Sequence, residues 1–423
     1  MGFFKSFLVA LTASRDKLNE YTFMCSNRIK PEYFSRNGKM NFKESMLFML
    51  NLVKKTMQVE LNDFCETVLQ KTYSVSKQAY SEARQKIDPK AFIELNDRIN
   101  EVIYKECKEF KLWNGYRVSA IDGSVLEIPD TEMLRNEFGY IENQNYQIAR
   151  AKASCLYDVI NKIVIKSKID KCNTSERDMA KTLLLQMNNT RLEHELVLFD
   201  RGYPSADFIA FLTKNNIDFV IRTPKSFSTI VKNAKKPDQI IEIIYERKRY
   251  KVRVIRLMLD SGVEEILLTS LFDDSLIIED FKELYFKRWS IEIKFDELKN
   301  RIEIENFTGK TKVAIEQDFY ASIYLSNMAE LARQHSDVVV KSKNANKTLK
   351  HEYKTNMNVL IGSLKDKFVL MMLEERPKKR DKLFKKIIDT ISRNCVPIRP
   401  DRSNPRITKK SSRKYKTGQK RCL

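Results

Sequence analysis

At 423 residues the chain is too long for a single small module and long enough for two or three domains with a substantial core. Its 77 Lys and Arg against 56 Asp and Glu leave a formal charge of +21, which suits a polyanionic partner and makes such binding salt-dependent. Seven singly spaced cysteines without a CxxC pair, and three scattered histidines (His194, His335, His351), exclude a disulfide framework, a zinc finger and a His-based triad.

Residues 1–110 contain only Gly2 and Gly38 and carry apolar residues at helical intervals, so a helical region is expected there. The stretch FFKSFLVALTA at 3–13 is broken by Lys5 and lacks a secretory cleavage site. With no longer apolar run in the chain, no membrane segment is expected and the protein reads as cytoplasmic. Segments 47–69 and 91–110 read as amphipathic helices. The piece SVSKQAYSEARQKI between them reads as a helix-turn-helix-like unit, whose Lys77, Arg84 and Lys86 either touch DNA phosphates or form a solvated face.

From 111 to 222 the periodicity turns to strands: RVSAID, QIARAKASCLYD and NKIVIKSKI, then a helix at 175–187, LVLFD, a helix after Pro204, and IDFVIRT. That order places the segment in the α/β class. Residues 223–270 are expected to be β-rich, with IIEIIYERKRYKVRVIRLML followed by EEILLTSL. Residues 271–345 carry an amphipathic helix through YFKRWSIEIKFDELK, continuing toward Ile304, and a further apolar helix at 319–334. The final segment, 346–423, is expected to be helical and to end in a basic tail. From Arg399 onward ten Lys and Arg stand against the single Asp401, a composition that cannot bury a core and suits ordering on DNA.

Three acidic residues carry the chemistry. VSAIDGS and ELVLFDRGY each read as a buried strand delivering an aspartate, Asp122 or Asp200, to its carboxyl end before a glycine-containing turn; Asp-Gly and Asp-Arg-Gly are also plain turn formers. Further on, Tyr285, Arg288, Glu292 and Lys299 follow at intervals of three, four and seven, within an arc of about 60° on an ideal helix. Leu284, Ile291, Phe295, Leu298 and Ile302 form a neighbouring apolar stripe. A salt-bridged solvent face would give the same spacing. Two strand-end aspartates and one helical glutamate can hold a pair of hard divalent cations through oxygen. Such a pair activates an attacking oxygen and stabilises the departing one in an in-line displacement at phosphorus. Asp296, one turn beyond Glu292, competes for the third place, and Trp289 reads as a packing residue.

Together these motifs resemble a DDE transposase of a bacterial insertion sequence, in the IS-four-type branch marked by Tyr-(2)-Arg-(3)-Glu-(6)-Lys. Tyr285, Arg288, Glu292 and Lys299 match that spacing, and Asp200, Arg201, Gly202 and Tyr203 match the family's Asp-Arg-Gly-Tyr. Asp122, Gly123 and Ser124 match the first-aspartate motif, and Asn173–Leu184 resembles the Glu-Arg helix opening between the aspartates. The resemblance covers residues 110–310.

It implies an α/β, ribonuclease H-like catalytic core at 111–222 and 271–345, with its first and fourth strands adjacent, interrupted by the β-rich insertion at 223–270. A helical DNA-binding region at 1–110 precedes it, and the helices and basic tail of 346–423 follow. By the same resemblance Asp122, Asp200 and Glu292 are catalytic and hold two Mg²⁺ ions, for which Mn²⁺ can substitute. Tyr285, Arg288, Lys299 and, in second rank, Arg201 contact DNA. Lys248, Arg249, Lys251 and Arg253 either hold a DNA end or form the polar rim of a sheet. The implied partners are the element's terminal repeats and target DNA, bound by a homodimer on paired ends at the nucleoid. The implied function is strand cleavage followed by strand transfer. The alternatives are a nuclease of the same fold that cuts without joining and a non-catalytic DNA-binding descendant; the latter fits less well because all three acidic residues are present.

Overall fold

The computed structural model describes residues 4–36, 38–51, 56–106, 110–143, 146–187, 192–259 and 262–399; the basic tail expected beyond 399 lies outside them. The chain divides into two compact units. One comprises Phe110–Val125 and Lys152–Phe295, and the other comprises Met1–Glu109, Leu126–Ala151 and Asp296–Leu423.

The large sheet has nine strands: β1 Arg117–Glu127, β2 Tyr140–Asn143, β3 Tyr146–Asp158, β4 Ile163–Lys171, β5 Glu195–Phe199, β6 Asp218–Thr223, β7 Asp238–Tyr245, β8 Lys248–Met258 and β9 Glu264–Thr269. In the first unit the order is β3-β1-β5-β6-β9-β8-β7, with β4 also on β3. Strands β1, β5 and β6 are parallel. Parallel strands covered on both faces read as unbroken apolar runs, and every residue of β5, ELVLF with its leading Glu195, is buried. The adjacency of the first and fourth core strands is found as the β1–β5 pair, in register Arg117↔Glu195 through Ala120↔Leu198.

The β-rich stretch expected at 223–270 is β7, β8 and β9. It extends the same sheet rather than forming one of its own, because β9 pairs antiparallel with β6 and β8 and β7 follow. β7 and β8 are joined by Glu246 and Arg247 at φ 47° and 62°, the hand that a two-residue hairpin turn demands. Arg253, one of the cations offered to a DNA end, is buried instead. Its guanidinium donates to both carboxylate oxygens of Asp238 and to the Asp273 and Leu276 carbonyls.

The second unit is helical over 1–109 and again after 296. Segment 47–69, expected as one helix, is interrupted: helix Phe42–Met49 ends at Leu50, and Met57–Asp63 starts after Thr56, whose ψ of 142° is extended. Asn41 and Glu44 form a reciprocal capping box on the first of these helices. Lys77–Arg84 and Lys90–Glu106 follow, and the 319–334 helix is part of a longer one, Lys312–Asn344, capped by Thr311. Pro377–Arg393 packs Phe384 against Phe7, their rings stacked 4.2 Å apart. Arg84, expected as a candidate DNA contact, is 2% exposed and spends its donors inside this unit. It bonds Gln317 (2.9 Å), Thr308 (2.7 Å), the Ala314 carbonyl (3.2 Å) and Asp318 (2.7 Å).

The signature helix is not one uniform helix. Ile278–Phe286 is α-helical, Lys287–Trp289 tightens to a 3₁₀ turn, Ser290–Glu297 is α-helical again, and Leu298–Ile302 widens to a π turn that stops at Glu303, φ 59°. The two units part between Phe295 and Asp296, so Lys299 and Asp296 do not belong to the unit that carries Glu292.

Candidate active site

Two aspartates are delivered by the same local device. Each of β1 and β5 brings an aspartate past the last paired register position, and each carboxylate folds back on a following glycine amide. Asp122 Oδ1 accepts from Gly123 N and Asp200 Oδ1 accepts from Gly202 N, both at 2.8 Å. Both glycines are closely packed against a carboxylate side chain. A Cβ on Gly123 would lie 3.3 Å from the Glu176 Cγ and Oε1, and one on Gly202 would lie 3.1 Å from Asp200 Oδ1. Ser154 Oγ on β3 ties the Asp122 carbonyl at 3.1 Å. Below the pair, Arg117 and Glu195, both fully buried, clamp β1 to β5 through Nε–Oε2 at 3.0 Å and a second Nη2–Oε1 contact.

The site is acidic and partly dehydrated. Burial first, then the neighbouring charges of Asp200 and Glu176, pushes the Asp122 carboxyl up from 3.8 to about 6, while the Gly123 amide and Arg288 oppose the rise. Tyr203 is fully buried, and its hydroxyl has no hydrogen-bond partner. Burial, then the carboxylates of Asp122, Glu176 and Asp200, hold its phenol well above the usual range. Its hydroxyl is thus a buried polar group beside three carboxylates, in a setting that favours a further polar partner.

Arg288, 6% exposed, donates from Nη2 to Glu292 Oε1 at 2.7 Å and also acts electrostatically on Asp122. Its guanidinium lies 6.0 Å from the Tyr285 ring centroid and 5.5 Å from that of Trp289. Trp289, read from the sequence as a packing residue, is 46% exposed. The 3₁₀ turn at 287–289 departs from the α-helical periodicity on which that reading depended.

The structure therefore brings together Asp122, Asp200 and Arg288 in one electrostatic neighbourhood, with Glu292 attached through Arg288. Among the described residues no three His, Cys, Asp or Glu side chains are grouped closely enough to hold a metal ion. As the side chains stand, one oxygen of Glu292 is engaged by Arg288. Tyr285, expected to reach DNA, is buried and its hydroxyl donates to the Phe199 carbonyl at the end of β5, 3.3 Å away. Lys299 ion-pairs with Glu305 at 3.8 Å within its own unit. Arg201 is exposed on the turn after β5.

Sequence reasoning assigned no role to Glu176 or Tyr203. Glu176 opens the helix Glu176–Leu185, and the Asn173–Leu184 motif was its only signal. Tyr203 stood in the Asp-Arg-Gly-Tyr motif, where nothing indicated that its hydroxyl would face carboxylates.

The oxygen-only donor set fits a hard divalent cation. A dipositive ion would offset the clustered negative charge that lifts Asp122, and water bound to it would give the Tyr203 hydroxyl a partner.

Asp122, expected at the carboxyl end of its strand, lies within β1, which continues to Glu127, but it stands just beyond the stretch paired with β5, as Asp200 does after β5. A mixed α/β sheet with two aspartates so placed on adjacent parallel strands defines the class, and the comparison with known families places the chain within it. The Transposase DDE domain model matches residues 113–328, just over half of the chain and inclusive of Asp122, Asp200 and Glu292, and the chain belongs to this family. Its family function is that of a transposase, and domains of this family generally use divalent metal ions. A similar solved structure is the cryo-EM structure of the piggyBac transposase synaptic complex with hairpin DNA. It has 12% identity and a TM-score of 0.41, over 95% of this chain and 86% of that one. Comparison with curated proteins finds no match. Among the described residues no helix is long and apolar enough to cross a membrane.

Proposed function

We propose that the protein is the transposase of a bacterial insertion sequence, of the IS-four-type branch, and that it cuts DNA at the element's ends and joins them to target DNA. The observation that carries this reading is the β1–β5 pairing, which sets Asp122, within β1, and Asp200, directly after β5, just beyond the paired stretch of two adjacent parallel strands, together with the Arg288–Glu292 pair in the same unit. The core at 111–222 and 271–345 is proposed to be ribonuclease H-like, with 223–270 as its β-rich insertion. The region 1–110 is assigned to recognition of DNA ends, and 346–423 to a helical segment with a basic tail.

Asp122, Asp200 and Glu292 would hold two Mg²⁺ ions, or Mn²⁺ in their place. When bound, the ions supply activation of the attacking oxygen and stabilisation of the leaving one. The chain's own residues bind, orient and neutralise. Arg288 exchanges its internal carboxylate for a DNA phosphate, and that exchange frees Glu292 for the site. Arg201 and Lys299 contact phosphates further out, and buried Tyr285 braces the end of β5 through the Phe199 carbonyl. The reaction comprises two in-line displacements at phosphorus. Water first releases a 3′-hydroxyl at the element's end, and that hydroxyl then attacks target DNA. A homodimer acting on paired ends, in the bacterial cytoplasm at the nucleoid, completes the proposal.

The test is to incubate purified protein and Mg²⁺ with DNA carrying the element's flanking ends and to resolve nicked, hairpin and joined products on one gel. End-specific nicks and joined products support the reading. Cutting without joining of pre-cleaved ends would indicate a nuclease instead, and binding without cutting would indicate a non-catalytic descendant.

A further inference from the structure

In the helical unit a groove of about 320 Å³ runs between helix Lys77–Arg84 and the turn Thr308–Thr311 that leads into the long helix Lys312–Asn344. We propose that this groove binds the backbone phosphates of DNA, independently of sequence. The inference rests on the reading of the chain as a DNA-acting transposase and locates one of its contacts outside the acidic site.

The base of the groove is stiff and electrically satisfied. Arg84 is neutralised by Asp318 and fastens its helix to Thr308, while Gln317 Nε2 donates to the Arg84 and Ile87 carbonyls at 2.8 and 2.7 Å. Gln85 Nε2 reaches Thr311 Oγ1 at 2.8 Å, so the two walls are cross-linked by side chains as well as by packing. Gly309 cannot be replaced without moving the turn, because a Cβ there would stand 2.4 Å from the Ala314 Cβ.

The rim is what a ligand would meet. Lys77 on one wall and Lys310 on the other are exposed, and no acidic residue lines the groove. Neither ammonium has an ion-pair partner among the described residues. Other exposed lysines are held by a carboxylate, as Lys105 is by Glu101 at 2.8 Å. Two unneutralised cations from opposite walls of one groove, with the amide of Gln78 and the hydroxyl of Ser81 also lining it, match an acceptor-only anionic strand. The Arg84 charge is spoken for by Asp318, so the phosphate contacts fall to the two lysines and not to the arginine.

Each phosphate contact by a lysine adds about one unit to the slope of log affinity against log salt. The experiment measures anisotropy of a labelled DNA duplex of arbitrary sequence with the full chain, over a range of salt. The variants are K77A/K310A and, in parallel, K77Q/K310Q, which removes the charge but keeps a polar, flexible side chain should the alanine pair fail to fold. The control is K105A/K214A, which removes the same formal charge at two cations already paired, with Glu101 and Glu246. The proposal expects roughly tenfold weaker binding and a slope smaller by about two for the groove variants, with the control close to wild type. Wild-type binding with unchanged affinity and slope in the groove variants overturns the groove and leaves the functional reading standing. No binding by the wild-type chain at low salt overturns both.

Discussion

Arg288 donates from Nη2 to Glu292 Oε1 at 2.7 Å, so the glutamate of the signature is committed to a guanidinium one helical turn away. A DNA phosphate that draws Arg288 off would release that carboxylate, which couples substrate arrival to completion of the acidic site. Arg288→Ala is expected to leave Mn²⁺ affinity equal or tighter while strand cleavage falls about 10²- to 10³-fold through loss of a positioned cation at phosphorus. Mn²⁺ titration beside single-turnover cleavage separates the two effects; a parallel loss of metal affinity would contradict the coupling.

The pH dependence of stability follows from Asp122, whose carboxyl is raised from 3.8 to about 6. The folded state then holds this proton more tightly than the unfolded chain. The associated stability is complete below about pH 4 and is lost as pH rises through 6, on the order of 3 kcal/mol in all. Asp122→Asn removes the titration, so in chelator-treated buffer it is expected to melt above wild type at about pH 8 and level with it at about pH 4. Melts that differ by the same amount at both pH values would contradict the assignment.

Tyr203 carries a buried hydroxyl that has no partner. Tyr203→Phe removes an unsatisfied polar group, and metal-free stability is expected to stay level or rise by about 1 kcal/mol. The same change is expected to lower the stabilisation conferred by Mg²⁺, because the hydroxyl would then no longer support the bound ion's water. Thermal melts with and without Mg²⁺ report both quantities. An equal Mg²⁺ shift in the two proteins would show that the hydroxyl does not face the ion.

Arg117 and Glu195 lie opposite each other at the start of the β1–β5 pairing, fully buried. Arg117→Met leaves a carboxylate uncompensated in the interior and is expected to cost about 3 to 5 kcal/mol in denaturant melts, with most of it regained in the double variant Arg117→Met/Glu195→Leu. A double variant as unstable as the single one would mean that the pair does more than neutralise itself.

Much of this architecture was legible in the sequence. Strands buried on both faces announce themselves as apolar runs, which is why RVSAID, LVLFD and IDFVIRT are legible with their order and Asp200 stands out at the end of one; β1 instead runs on through the polar Asp122-Gly123-Ser124 to Glu127, past the point where the apolar run stops. What the sequence concealed lay in local geometry and in pairing. The single α-helical interval that aligned Tyr285, Arg288, Glu292 and Lys299 is not kept throughout: a 3₁₀ turn at Lys287–Trp289 falls before Glu292 and a π turn at Leu298–Ile302 takes in Lys299. The cations Arg84 and Arg253 look like surface charge until Asp318 and Asp238 are found beside them. Glu176 was hidden for another reason: its place over Gly123 arises from a packing contact between residues 53 positions apart, which no local pattern records.

The central claim, that Asp122, Asp200 and Glu292 work as one unit on DNA, is tested most directly by single-turnover cleavage of an end-bearing duplex by Asp122→Asn, Asp200→Asn and Glu292→Gln, with DNA binding measured on the same preparations. The account predicts that each variant retains binding and loses cleavage by roughly 10³-fold or more, the three losses being similar because the residues share one task. Near wild-type cleavage by any one of them would contradict it.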